Sequence, residues 1–179
     1  RAEKSYKSLW EIIDQNLELT NLYMHKAKTF KFDSYELDNC QQHVYCFSSA
    51  SDQIMVKINE LMDSKNYFNA FMLNDMVNDI VFNASNYMDQ IIKDDISKKE
   101  LILGKKYFPG EQGIDMKHQK SILDLLKENI DIDAGLTESY MIKPEKSMIY
   151  VFSVGNDIED SFIEHDCALC DFKECMYRK

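Results

Sequence analysis

The stretch AFMLNDMVNDIVFNASNYMDQI, residues 70–91, places an apolar side chain at every third or fourth position, with Ala70, Leu73, Val77, Ala84, Met88 and Ile91 on one stripe and Ile80 and Val81 widening it. Neither Gly nor Pro interrupts it. Such a stripe predicts a long amphipathic helix, and its width predicts that the helix is the central buried one.

Upstream, Asp52 stands where an N-cap would, ahead of Met55, Ile58, Leu61 and Met62, and the polar run Asp63-Ser64-Lys65-Asn66 predicts the end of that helix. From Glu3 to about Lys28 there is again no Gly or Pro, and Leu9, Ile12, Ile13, Leu17 and Leu22 approximate a helical stripe, so a helix is expected there. Between these helices, Phe30, Phe32, Tyr35 and Leu37 have strand-like spacing, and Val44 to Phe47 reads as a second short strand. Downstream, Lys93 to Lys99 is polar and expected to be exposed, and Leu101 to Gly104 leads into the Pro-Gly turn of Tyr107-Phe108-Pro109-Gly110. Asp115 can cap a helix carrying Ile122, Leu125 and Leu126. Leu136 to Ile142 and Ser147 to Val154 then read as an antiparallel hairpin joined by Lys143-Pro144-Glu145-Lys146. Long helices with clustered strands, lacking a regular βαβ rhythm, predict an α+β fold: a single domain over residues 1–160 with an antiparallel sheet flanked by long helices, and a cysteine-containing tail over residues 161–179.

The chain of 179 residues, 45% hydrophobic and 29% charged, is long enough for one core and lacks the composition of a disordered chain. Its formal charge of -10 is spread along the sequence, which argues against a nucleic-acid partner. No apolar run has the length of a membrane span, and Arg1-Ala2-Glu3-Lys4 precedes no signal-peptide core, so a cytoplasmic protein is expected. Residue 1 is not Met, so the natural start is expected upstream.

Two constellations carry chemistry. The segment Lys105-Lys106-Tyr107-Phe108-Pro109-Gly110 combines cations, aromatics and a tight turn, which suits a small anionic ligand, although an ordinary surface turn with solvated lysines is the default reading. Glu138, within an expected strand, must face water or find a partner. The other constellation is Cys167-x2-Cys170-x4-Cys175, three of the five cysteines, spaced for a metal better than for a disulfide framework. His165, Cys40 or Cys46 could complete four ligands around zinc or an iron–sulfur cluster, and three free thiols are the alternative. His25, His43 and His118 are isolated in sequence and are expected to be surface or hydrogen-bonded residues rather than catalytic ones.

Leu136-Thr137-Glu138-Ser139-Tyr140-Met141, followed by Pro144 and Ser147, resembles the "LTES…P..S" segment of the activation domain of vitamin B12-dependent methionine synthase. Lys106-Tyr107-Phe108-Pro109-Gly110 is similar to that family's Arg-x-x-Pro-Gly-Tyr loop, and Leu37-Asp38-Asn39-Cys40 and Phe71-Met72-Leu73-Asn74-Asp75 are similar to stretches of its small stand-alone members. The likeness spans roughly residues 35–155. It departs from the family where Lys106 replaces the Arg, Glu111 replaces the Tyr, and the tyrosine pair after the hairpin is replaced near Asp160-Ser161.

The resemblance implies an accessory protein for reductive reactivation of a cobalamin-dependent methyltransferase. Such a protein binds S-adenosylmethionine and docks on the cobalamin carried by a corrinoid-binding methyltransferase subunit, acting chiefly by positioning. It implies S-adenosylmethionine contacts at Lys106, Tyr107, Pro109, Gly110 and Glu138, with Lys106 meeting the ligand carboxylate. The cysteine tail is similar to tails of some stand-alone relatives, where an iron–sulfur cluster could deliver an electron and zinc would act as a structural clasp. The competing expectation is a divergent metal-binding interaction module that keeps the fold and not the S-adenosylmethionine site.

Overall fold

The residues that build the core alternate along two strands. In β2 (Gln42–Ala50) and β6 (Ser147–Gly155), nearly every position is buried, the mark of central strands covered on both faces. Their antiparallel register sets Tyr45 opposite Val151 and Phe47 opposite Ile149 on one face, and Val44 opposite Phe152 and Cys46 opposite Tyr150 on the other. β1 (Leu19–Ala27) adds to β2 and β3 (Ile102–Tyr107) adds to β6, giving a four-stranded antiparallel sheet in the order β1-β2-β6-β3. The computed structural model describes residues 2–27, 40–111 and 114–158.

On one face lies α3 (Tyr67–Ser97), whose Met88, Ile92 and Ile96 pack with Val44, Cys46, Leu103, Tyr150, Phe152 and Val154. Its earlier turns, through Leu73, Val77 and Val81, pack with Leu9 and Ile13 of α1 (Ala2–Asn16) and with Ile54 and Ile58 of α2 (Asp52–Asp63). The opposite face is covered by α4 (His118–Lys127), where Ile122, Leu123 and Leu126 meet Tyr45, Phe47, Ile149 and Val151. Each fully buried aliphatic or Phe side chain in these layers contributes about 1.5–3 kcal/mol relative to exposure. The α+β class and the single domain with long helices against an antiparallel sheet are as expected.

Several local expectations are corrected. The helix expected from Glu3 to Lys28 stops at Asn16, and the following residues form β1. Ser51 ties the chain reversal down: its hydroxyl donates to the Asn16 carbonyl (3.1 Å) and accepts from the Glu18 amide (3.2 Å). Leu17, whose amide still bonds back to the Ile13 carbonyl (2.9 Å), lies in the link, and Leu22 fits a helical stripe by spacing alone while pairing opposite Phe47 in β2. Ser51, rather than Asp52, is the N-cap of α2. Residues 93–97 continue α3; Lys93, Asp94, Ser97, Lys98 and Lys99 are exposed as expected, whereas Ile96 is buried. Lys105, Lys106 and Tyr107 lie in β3, not in a loop.

The expected hairpin from Leu136 to Val154 is also different. Its turn lies inside the first stretch: β4 (Gly135–Leu136) pairs with β5 (Ile142–Lys143), while β6 pairs with β2 and β3. Glu138 therefore sits in a turn instead of a strand. The strand expected across Phe30 to Leu37 lies outside the described residues.

Candidate functional site

Along a regular strand, neighbouring side chains face opposite sides of the sheet. β3 breaks this rule once: Leu103 is opposite Val154 and Lys106 is opposite Phe152, so β3 carries one residue more than β6 between these pairs. This is a β-bulge at Gly104-Lys105. Gly104 permits it, because a Cβ there would collide with the Ser153 hydroxyl and come within 3.0 Å of Ile158. The bulge turns both Leu103 and Lys106 toward α3, while Tyr107 faces the α4 side.

Lys106 Nζ donates to Asp89 Oδ2 at 2.7 Å, and Tyr150 Oη donates to Asp89 Oδ1 at 2.9 Å. The same ammonium lies 3.8 Å from the Tyr150 ring centroid, 5.3 Å from that of Phe108 and 5.8 Å from that of Phe152. Asp89 is 2% exposed on its side chain and Lys106 14%, so this ion pair is largely withdrawn from water. Burial pushes the Asp89 carboxyl above its usual range, and Lys106 and the Tyr150 hydroxyl oppose that shift. Burial, then the neighbouring Asp89, pushes the Cys46 thiol well up, so Cys46 stays protonated. The Tyr150 hydroxyl is likewise held neutral by burial.

Beyond Tyr107 the chain makes a tight turn. The Glu111 amide donates to the Phe108 carbonyl (3.0 Å), with Pro109 and a left-handed Gly110 (φ 96°) at the two central positions, the pattern of a type II turn. The Gly110 amide donates to the Ile114 carbonyl (2.9 Å), which closes the loop toward α4. Pro109 is buried, whereas Gly110 and Glu111 are exposed. Lys105 is exposed, with Nζ 5.9 Å from the Tyr107 ring centroid.

A second polar turn joins β4 to β5. The Tyr140 amide donates to the Thr137 carbonyl (3.0 Å), the Thr137 amide to the Met141 carbonyl (2.9 Å), and the Met141 amide to Thr137 Oγ1 (3.0 Å). Tyr140 takes a left-handed φ of 63°, and Glu138 and Ser139 project at the exposed tip. Leu136 and Ile142, at its base, pack on the core cluster that also holds Tyr107 and Ile114. Of the residues expected to meet a ligand, Tyr107 and the base of the Glu138 turn thus share one core cluster, whereas Lys106 belongs to the opposite face of the sheet.

Cys167, Cys170, Cys175 and His165 lie outside the described residues. Cys40, considered as a further ligand, is buried, and its thiol donates to the Gln42 carbonyl (2.5 Å). Cys46 is buried beneath α3. Among the described residues no group of three or more His, Cys, Asp or Glu side chains is placed to hold a metal. No helix among the described residues is long and apolar enough to cross a membrane.

His25 and His118 are not free surface rings: His25 Nδ1 is 3.3 Å from Lys99 Nζ, and His118 is buried at the start of α4. His43 is fully buried, with Nδ1 3.2 Å from Tyr45 Oη. The sequence did hold a signal for Asp89: it interrupts the apolar stripe of α3 between Met88 and Ile92, and a charge there needs a buried partner. Neither a protein-family model nor a curated protein matches the chain.

Proposed function

We propose that the chain is an accessory protein for reductive reactivation of a cobalamin-dependent methyltransferase of the methionine synthase kind, binding S-adenosylmethionine and docking on the corrinoid of a partner subunit. One observation carries this reading. The two segments that resemble the activation domain, the Pro109-Gly110 turn and the Thr137-Glu138-Ser139 turn, are mounted on one core cluster through Tyr107, Ile114, Leu136 and Ile142.

The residues fit the ligand in part. A free cation for the ligand carboxylate is not offered by Lys106, whose ammonium is held by Asp89. The exposed Lys105 and the backbone of the Gly110 turn take that role instead, and Glu138 presents a carboxylate to the ligand's ammonium group. S-adenosylmethionine supplies the methyl group, and an external donor supplies the electron; this chain's part is to hold the ligand against the partner's cobalamin.

The test is a reconstituted reaction in which the partner's oxidised cobalamin is reduced and methylated, followed by its visible absorbance. Addition of this chain is expected to make the conversion dependent on S-adenosylmethionine. Equal rates with and without the chain would refute the proposal.

The Lys106–Asp89 pair favours a second reading, a metal-binding interaction module without the ligand site. In that case the protein binds zinc or an iron–sulfur cluster at its C-terminal cysteines and takes up no S-adenosylmethionine.

A further inference from the structure

The Asp89–Lys106–Tyr150 cluster reaches the Pro-Gly turn through Phe108. Lys106 Nζ lies 5.3 Å from the Phe108 ring centroid, and the Phe108 and Tyr150 rings are 5.6 Å apart. Phe108 also supplies the carbonyl that accepts the Glu111 amide and closes the turn. Between them Tyr107 is anchored in the opposite core cluster, so the end of β3 is gripped on both faces, by apolar packing on one and by the ammonium and rings on the other. Lys106 cannot swing out to a ligand without leaving the buried Asp89 carboxylate unpaired.

We propose that Lys106 is a positioning residue: with Asp89 and Tyr150 it holds Phe108, and it acts on S-adenosylmethionine only through the Phe108–Glu111 turn that Phe108 closes. The ligand half of this proposal rests on the function proposed above; the turn half does not.

The experiment uses the full chain with Asp89→Asn, Lys106→Met and the double variant. Amide hydrogen exchange is read at Gly110 and Glu111, with Leu126 in α4 as the global reference, and S-adenosylmethionine affinity is read by calorimetry. Both single variants are expected to speed exchange at Gly110 and Glu111 by about tenfold or more, with a smaller change at Leu126. The double variant, with neither charge stranded, is expected to lose less protection than the two single losses combined. Asp89→Asn frees the Lys106 cation yet is expected to weaken ligand binding severalfold.

Three results would overturn the proposal: unchanged exchange at Gly110 and Glu111 in both singles, an equal acceleration at Leu126, or tighter ligand binding in Asp89→Asn together with loss in Lys106→Met. The last would make Lys106 a direct ligand contact. Asp89→Asn conserves volume, so the measurement survives if Lys106→Met fails to fold. If the wild-type chain takes up no S-adenosylmethionine, the function proposed above falls and the exchange results alone decide this inference.

Discussion

Lys106→Met strands the Asp89 carboxylate beneath α3, where among the described residues the Tyr150 hydroxyl is its remaining side-chain donor, at Oδ1. Removing one member of a buried ion pair costs about 3–5 kcal/mol. The carboxylate has an escape, because it can take up a proton. Starting from an ordinary value of 3.8, protonating it near pH 7 costs about 4 kcal/mol, and near pH 5 about 1.6 kcal/mol. These figures cap the charge penalty at each pH, so the destabilisation is expected at about 3–4 kcal/mol near pH 7 and about 2 kcal/mol or less near pH 5, with lost ring contacts adding a pH-independent part. The direction follows from burial: the folded Asp89 carboxyl titrates above its unfolded value, so the penalty is absent below the unfolded value and grows as pH rises through the folded one. Urea unfolding of wild type and variant at both pH values reads the difference directly. Asp89→Asn combined with Lys106→Met removes both charges and is expected to fall within about 1.5 kcal/mol of wild type. A Lys106→Met penalty under about 1 kcal/mol, or one that is the same at both pH values, would refute the buried-pair explanation.

Other regions give independent tests. Gly104→Ala places a methyl group against the Ser153 hydroxyl and Ile158 and is expected to cost about 1–3 kcal/mol in urea unfolding, with part recovered when Ser153→Ala is added. Tyr23 donates to Asp95 at 2.5 Å, which pushes the phenol up to about 12. The same bond holds the Asp95 carboxyl below its usual range. The Tyr23 contribution to stability is therefore present below the ordinary tyrosine value and lost as pH rises through the folded one, while that of Asp95 is lost as pH falls through its lowered one. Asp95→Asn should return one tyrosine to the ordinary range in an alkaline absorbance titration; an unchanged titration curve would contradict the hydrogen bond. Lys146 donates to Asn74 and Asn78, both at 2.7 Å, joining the approach to β6 to α3. Lys146→Met should lower stability by about 1–2 kcal/mol by urea unfolding, and no change would mean that water replaces both bonds.

How far the fold could be read in advance depended on whether local spacing or distant pairing decided each element. α3 and α4 were legible because their apolar residues repeat over several turns, and β2 because its short apolar run has no helical alternative. β1 was hidden, since Leu22 extends the approximate apolar stripe of α1 by spacing and the strand exists by pairing with β2. The β4–β5 turn was missed because Thr137 to Met141 reads as a strand by composition, while Thr137 Oγ1 and a left-handed Tyr140 fold it into a turn. The Pro-Gly turn was legible, but the direction of Lys106 was not. Strict alternation from Leu103 would send Lys106 away from α3, and only the bulge at Gly104-Lys105, visible once β6 is alongside, turns it inward.

The most direct test of the proposed function is a calorimetric titration of S-adenosylmethionine into the anaerobically prepared full chain, beside Gly110→Val, which a left-handed turn position disfavours. Saturable binding to the wild-type chain, weakened by Gly110→Val, is the result expected of a reactivation protein that holds its ligand at this turn. No heat from the wild-type chain at ligand concentrations near a millimolar, where even sites of about -4 kcal/mol begin to fill, would contradict it.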